Sequence, residues 1–439
     1  MSKIKYVGHP FVDVGVSVME ILLEKTCEEF TDEDIEKAKQ ELIKEYDNNT
    51  LKGYLSTIFP NSAWANFNIG KEKKEENINN LLYSKNELNK KCFYCENKAN
   101  RYSNRQDIPL LTGESVINVV STGLGLPVCT DCLTSIQFFP LGTIKVEGSA
   151  LLWNTHDIDL SYILTRNHFD KLKLLIDGAV DNKVESLKFP FTRIFEALEN
   201  ALKIIKDNNP NKYPITDCIA YHFTNYGTSP NYKEYIIPSS FLSFKKKLDT
   251  NNELNAIYKQ IINNSWFSKN KKETEQKNKE NRFYTDLGKF LQQDTFKEVN
   301  HRLLKHFIHT KKKELNSFSL VSLFLIEVTG MNKVRLEKIK DLADKIVKLN
   351  SEKHIKELFR KKYSQRDFID YLVRIQAKLK SSNLPVFSMD EICIALGISN
   401  SDDTTNNDFY LVRDLILIRL LELTSIHLED DEIAQDLEE

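Results

Sequence analysis

CFYC at Cys92–Cys95 and CTDC at Cys129–Cys132 are the stretches on which the reading of this chain turns. A CxxC knuckle turns the backbone so that two thiolates converge, and two knuckles supply the four ligands of a tetrahedral Zn²⁺ site with no open position for water or substrate. Such a site holds structure together and does not catalyse. The 33 residues between the pairs exceed the roughly 15 to 20 of a common zinc ribbon, so the expected module, about residues 88–140, clips a long excursion to a domain. The alternatives are disulfides or unliganded core cysteines. Cys27, Cys218 and Cys393 stand singly in apolar surroundings and read as core residues. With seven cysteines, an odd number, and no signal peptide over residues 1–20, a reduced cytoplasmic compartment is expected, where metal is favoured over disulfide. Apolar stretches such as Leu320–Val328 are too short to span a bilayer, so no membrane partner is expected and the protein reads as soluble.

Outward from the knuckles, periodicity separates two regions. Thr31 and Asp34 form a capping pair before an amphipathic helix over 32–46. Val116–Val120, Thr143–Val146, Ile219–Phe223 and Tyr235–Ile237 read as short strands, and residues 165–205 as further helix. Residues 1–265 are therefore expected to be a mixed α+β domain carrying the zinc module. Lys269–Arg282 contains no apolar residue, and 266–282 reads as a charged linker or loop. Beyond it the helical pattern is unbroken. Caps are expected at Ser364 with Asp367 and at Ser388 with Glu391, a stop at Gly397, and an apolar helix over Leu411–Leu423, so 283–439 reads as an all-α bundle.

The net charge of −2 conceals an uneven distribution. Residues 301–380 carry 20 Lys and Arg against 9 Asp and Glu, whereas 381–439 carry 2 against 14. Arg335, Lys338 and Lys345 lie off the stripe of Ile339, Leu342 and Ile346 and are expected to project outward together. Lys311, Lys312, Lys313, Arg360, Lys361 and Lys362 would extend a face suited to a phosphate backbone. The plain alternative is a solvated helix surface balancing the acidic part.

The common catalytic signatures GxxxxGK[ST], HExxH and GxSxG do not occur. His156 with Asp157 lacks the further His and Asp partners of a metal phosphohydrolase, and His306 with His309 shows no carboxylate partner in the pattern. His9 and Asp13 are four apart but flanked by Gly8 and Pro10, so this stretch reads as a packed N-terminal element. A zinc-clipped HNH nuclease would need a His near the knuckles, and none occurs from Glu96 to Val128. No catalytic residue is expected.

The opening GHPFVDVGV (Gly8–Val16), FPNSAWANFN (Phe59–Asn68), the two knuckles, and YHFTNYG (Tyr221–Gly227) together resemble the CXXC-CXXC family of CRISPR-associated antiviral defense proteins, large subunits of type I-B Cascade. The resemblance covers about residues 5–240; the later region is similar only as architecture, to the helical domain of other large subunits. It implies a non-catalytic, DNA-binding and RNA-binding protein that recognises the PAM, contacts the 5′ handle of the guide RNA and supports the displaced strand of the target double-stranded DNA. Its implied partners are the Cascade backbone subunits and a recruited helicase-nuclease, and its implied cofactor is one structural Zn²⁺. Asn61, Asn66, Asn68 and Asn225 have amides able to read base edges, although Asn is also a common turn former. The alternative is a zinc-stabilised nucleic-acid enzyme such as a nuclease.

Overall fold

The structure, a computed structural model, describes residues 4–60, 62, 64–65, 68–111, 125–178, 183–226, 231–268, 278–293, 301–309, 312–358, 364–397 and 409–424. The chain forms two compact units, Met1–Ser239 with Ser268–Glu280, and Ser240–Phe267 with Asn281–Glu439. No helix among the described residues is long and apolar enough to cross a membrane.

The first unit is built around α1 (Pro10–Leu23). Pro10 occupies its first turn, where no intrahelical donor is needed, and Phe11, Val12, Val14, Val16, Val18 and Met19 are buried around its circumference. A helix apolar on all sides must be enclosed. Here α5 (Thr130–Phe138), α6 (Ile158–Asp177) and a four-stranded antiparallel sheet pack against it. That sheet runs in the order β3 (Ile144–Val146), β4 (Ser149–Thr155), β5 (Cys218–Thr224) and β6 (Asn231–Ile237). Its Phe223 ring lies 5.3 Å from that of Phe11. Around this core stand α2 (Asp32–Tyr46), α3 (Lys52–Ile58), α4 (Lys71–Leu82) and α7 (Pro190–Asn208), and a short ribbon of β1 (Arg101–Ser103) and β2 (Leu126–Val128) leads to the cysteines. The expected cap of α2 is present: Thr31 Oγ1 accepts from the Asp34 N–H at 3.1 Å and the Asp34 carboxylate accepts from the Thr31 N–H at 3.0 Å. The expected strand at Val116–Val120 lies outside the described residues.

His9 is the N-cap of α1, in extended conformation, so its side chain parts from that of Asp13 one turn later. Asp13 Oδ1 accepts the Val7 N–H at 2.7 Å, and the side chain lines a cavity of about 190 Å³ with Tyr6, Asn154 and His156. Burial pushes the Asp13 carboxyl up to about 6, against the bonds from the Val7 and Gly8 amides, which favour the anion. The native state therefore holds this proton more tightly than the unfolded chain. The contribution to stability is full below the ordinary pKa of 3.8 and is lost as pH rises through 6. In denaturant titrations, wild type should lose about 1 to 2 kcal/mol relative to Asp13→Asn between roughly pH 5 and pH 7.5. A parallel pH dependence of the two proteins would show that Asp13 is not held protonated.

The second unit is helical. It comprises α8 (Ser239–Asp249, counted from Ser240), α9 (Asn252–Asn264), α10 (Arg282–Leu291), α11 (His301–Lys305), α12 (Phe318–Thr329), α13 (Lys333–Val347), α14 (Glu352–Leu358), α15 (Gln365–Ser381), α16 (Met389–Leu396) and α17 (Phe409–Leu423). The apolar α17 is its central member, touching α11, α12, α13, α14, α15 and α16. Capping boxes start α15 at Ser364 with Asp367 and α16 at Ser388 with Glu391, and Gly397 ends α16 in left-handed conformation. Ionic groups also enter this core: Asp414, fully buried on α17, bonds Arg413 at 2.8 Å and His301 at 2.5 Å.

The division at 265 expected from composition is corrected to 239. Phe244 packs edge-on against Phe324 at 5.4 Å, and Tyr258 against Phe283 at 5.7 Å, so α8 and α9 belong to the helical unit. The expected linker also ends early: Asn281 accepts from the Tyr284 N–H and so caps α10, while Lys269–Lys277 lie outside the described residues.

Candidate metal centre

The first knuckle is a tight reversal. Lys91 and Lys98 form an antiparallel bridge, the Cys92 N–H donates to the Asn97 carbonyl at 2.6 Å, and Glu96 takes φ +63° to close the turn. The β1–β2 ribbon ties this reversal to the second knuckle: the Phe93 N–H donates to Pro127 O and the Asn100 N–H to Val128 O, both at 2.9 Å. Directly after β2, Cys129 becomes the N-cap of α5, and its sulfur accepts the Cys132 N–H at 3.4 Å. The second pair of thiols thus sits at a helix N-terminus, where the Cys132 N–H bond favours negative charge on the Cys129 sulfur.

All four Sγ atoms lie within 4.8 Å of one another, and Cys95 and Cys129 approach to 3.5 Å. Tetrahedral Zn–S bonds of about 2.3 Å would place the sulfurs roughly 3.8 Å apart, so the set matches a single four-coordinate ion in size. Cys92, Cys129 and Cys132 are buried and Cys95 is half-buried. Hydrogen bonds from Cys129 and Cys132 hold the Cys92 thiol far below its ordinary range, whereas bonds to Cys129 and Cys92, together with burial, push Cys132 far above its own. In this cluster a first thiolate makes further ones costly. A cation removes that cost, and the donor set of four sulfurs fits a borderline-soft one. A second group of ligand atoms, Glu20, Cys27 and Glu28, does not resemble it. The Glu20 carboxylate already accepts from Tyr6 OH at 2.5 Å and the Cys27 N–H at 2.8 Å, and burial beside Glu20 pushes the Cys27 thiol up to about 12.

The candidate base readers are placed differently from expectation. Asn225 is fully buried: its Oδ1 accepts Arg105 Nε at 3.0 Å and the Leu110 N–H at 3.3 Å, and its Nδ2 donates to Ile58 O at 3.0 Å. A buried amide must be satisfied internally, and this one joins the loop before β2 to the end of α3, so it is a positioning residue and not a base reader. Asn68 is exposed, while Asn61 and Asn66 lie outside the described residues.

The cationic face is also corrected. Arg335, Lys338 and Lys345 do not project outward together but turn toward α16: Arg335 Nε donates to Ala395 O at 3.0 Å, Lys345 pairs with Glu391 at 2.7 Å, and Lys338 approaches Glu391 to 3.8 Å. Within this unit, opposite charges on adjacent helices find each other, and the Arg335 fork satisfies a carbonyl at the end of α16 that has no helical partner. The exposed lysines of α13 are instead Lys333 and Lys340, with Lys348 just beyond its end. Lys312 is exposed and donates to Asn264 at 3.0 Å. Lys311, Arg360, Lys361, Lys362 and the side chain of Lys313 lie outside the described residues.

Among the histidines, His306 does have a carboxylate partner, Asp286 at 2.8 Å, while burial lowers His309 to about 4. Both lie beyond the end of α11 and share no helix face. Asp157 caps α6 through the Leu160 N–H at 2.9 Å, which accounts for its place beside the exposed His156.

The stretches singled out in the sequence meet in space. His9 stands edge-on to Tyr94 of the first knuckle at 4.7 Å, Phe11 meets Phe223, and Asn225 bonds the carbonyl of Ile58 beside Phe59. No family model matches the chain, and no curated protein is significantly similar to it.

Proposed function

We propose that this chain is a nucleic-acid-binding scaffold, the large subunit of a type I-B Cascade complex, and that its four cysteines hold one structural Zn²⁺. The observation that supports this most is the convergence of three dispersed stretches on which the resemblance rests, the opening segment, the first knuckle and Tyr221–Gly227, at the contacts of His9 with Tyr94 and Phe11 with Phe223, with Asn225 bonding Ile58 next to a fourth. In this reading the metal fixes the knuckles against α1 and α5, guide pairing reads the target, and the protein contacts PAM duplex and strand backbone. In the helical unit the backbone contacts fall to the exposed Lys333, Lys340 and Lys348, since Arg335, Lys338 and Lys345 are engaged with α16.

Co-expression with the backbone subunits and a repeat array tests this. The full chain should co-purify with them and with a short guide RNA. Replacing Lys333, Lys340 and Lys348 with Ala should weaken target binding about equally for all PAM sequences. The salt slope should flatten by up to roughly 0.7 to 0.9 for each phosphate that is no longer neutralised. A chain that enters no such complex, or that alone cleaves DNA in a metal-dependent way, overturns the reading.

A further inference from the structure

Beside the candidate metal centre the first unit contains a cleft of about 280 Å³, its wall shared between aromatic rings and aliphatic side chains. Tyr221 of β5 and Tyr232 of β6 are stacked, 6.0 Å apart and 25° from parallel. His9 and Tyr94 reach the same cleft from the start of α1 and from the first knuckle. Phe93, also in the wall, leaves 56 % of its surface exposed, although burial is favourable for such a ring. Three segments distant in sequence, the start of α1, the first knuckle and the β5–β6 pair, thus deliver rings to one concave surface.

Besides the tyrosine hydroxyls, Glu234 and His9 bring polar atoms to this wall. Glu234 stands opposite Tyr221 in the β5–β6 register and accepts a hydrogen bond from the Tyr232 hydroxyl. A carboxylate offers about four acceptor positions, so it keeps capacity for a second donor. His9 is largely enclosed, and its Nδ1 has no hydrogen-bond partner among the described residues.

An aliphatic chain would use neither polar group, and a pyranose offers the rings a C–H face without a π system. A phenyl ring would stack without serving the carboxylate. A nucleobase combines a π face with ring nitrogens and an exocyclic amino group. The volume lies below the roughly 300 to 1,000 Å³ of drug-sized sites, which suits one ring system. We propose that this cleft holds the base of a single unpaired nucleotide, stacked on Tyr221 and Tyr232 and donating from its amino edge to Glu234. Adenine, cytosine and guanine carry that amino group and thymine does not. Asn225 has a positioning role: its bonds to Arg105 and Leu110 fix the loop that supplies Leu110 to the wall. The proposal deepens the large-subunit reading and rests on it for the source of the unpaired strand.

The test uses the full-length chain and short single-stranded DNA with one 2-aminopurine, whose fluorescence falls on stacking. Wild type should quench it several-fold. Tyr221→Ala and Tyr232→Ala should each abolish most of the quench and weaken binding about tenfold, while Tyr221→Phe retains both, because base stacking on an aromatic ring is worth about 1 to 3 kcal/mol. Thermal melts identify any alanine variant that fails to fold. Glu234→Gln keeps the side chain's size and provides the second arm: an adenine-over-thymine preference in competition should fall several-fold. No quench by wild type, or a quench and a preference unchanged in the folded variants, overturns the proposal. A complex that carries guide RNA but shows no Tyr221-dependent quench would remove the cleft assignment alone. A Tyr221-dependent quench by a chain that joins no RNA-guided complex would remove the large-subunit reading alone.

Discussion

Cys92→Ser or Cys129→Ser is expected to destabilise the first unit by several kcal/mol, and a chelator should do the same to wild type. The four sulfurs are grouped within 4.8 Å, and among the described residues the knuckle is otherwise tied to α5 through the β1–β2 ribbon, backbone bonds and the bonds of Thr130 to Asn100 and Ser84. Metal-binding free energies of about 10 to 16 kcal/mol in isolated zinc modules count as folding free energy, so loss of even part of that exceeds the net stability of many domains. Cys129 carries an extra role as N-cap of α5, and α5 packs directly on α1, so its replacement should be transmitted into the core. Elemental analysis of protein purified without chelator should find one equivalent of zinc, and melting curves should show the metal-dependent transition. Less than about half an equivalent, with both serine variants as stable as wild type, would leave the sulfurs as an unliganded core cluster.

Local chemistry decides what is legible in this sequence. The capping pairs at Thr31, Ser364 and Ser388 depend on residues three apart, and all three are present as capping boxes. The CxxC spacing likewise constrains each knuckle by itself, and the ribbon completes the cluster. Non-local choices are not legible. That α8 and α9 join the helical unit is decided by Phe244 and Tyr258 meeting rings at 324 and 283, which no periodicity discloses. The helical wheel of α13 correctly separates Arg335, Lys338 and Lys345 from the apolar stripe, but it cannot show that α16 approaches on that side with Glu391. Asn225 has the composition of a turn residue, and only the arrival of Arg105 from 120 positions away makes it a buried clamp. The cleft is hidden for the same reason, since His9, Tyr94, Tyr221 and Tyr232 belong to separate stretches.

Gly15→Ala should be among the most damaging single-atom-scale changes in this chain, and its cause separates it from an ordinary core substitution. Gly15 lies at the crossing of α1 with α5, where a Cβ would stand 1.8 Å from the Ser135 carbonyl oxygen and 2.5 Å from its carbon. In a helix interior alanine is otherwise preferred over glycine by about 1 kcal/mol, so propensity alone predicts stabilisation. The steric term is larger: overpacking a core costs about 1 to 3 kcal/mol even when side chains can move, and here the obstacle is backbone. The two helices would have to separate, opening the contact that also seats Cys129 and Cys132. We expect a loss of about 3 kcal/mol or more, read from denaturant midpoints at unchanged slope. Gly142 is the control. A Cβ there would meet side-chain atoms, Thr165 Cγ2 at 2.7 Å and Val14 Cγ1 at 2.8 Å. Trimming Val14 to Ala should therefore recover part of the loss in Gly142→Ala, whereas Ser135→Gly should recover nothing in Gly15→Ala, because the carbonyl remains. Equal rescue of both would mean that α1 and α5 are not in backbone contact.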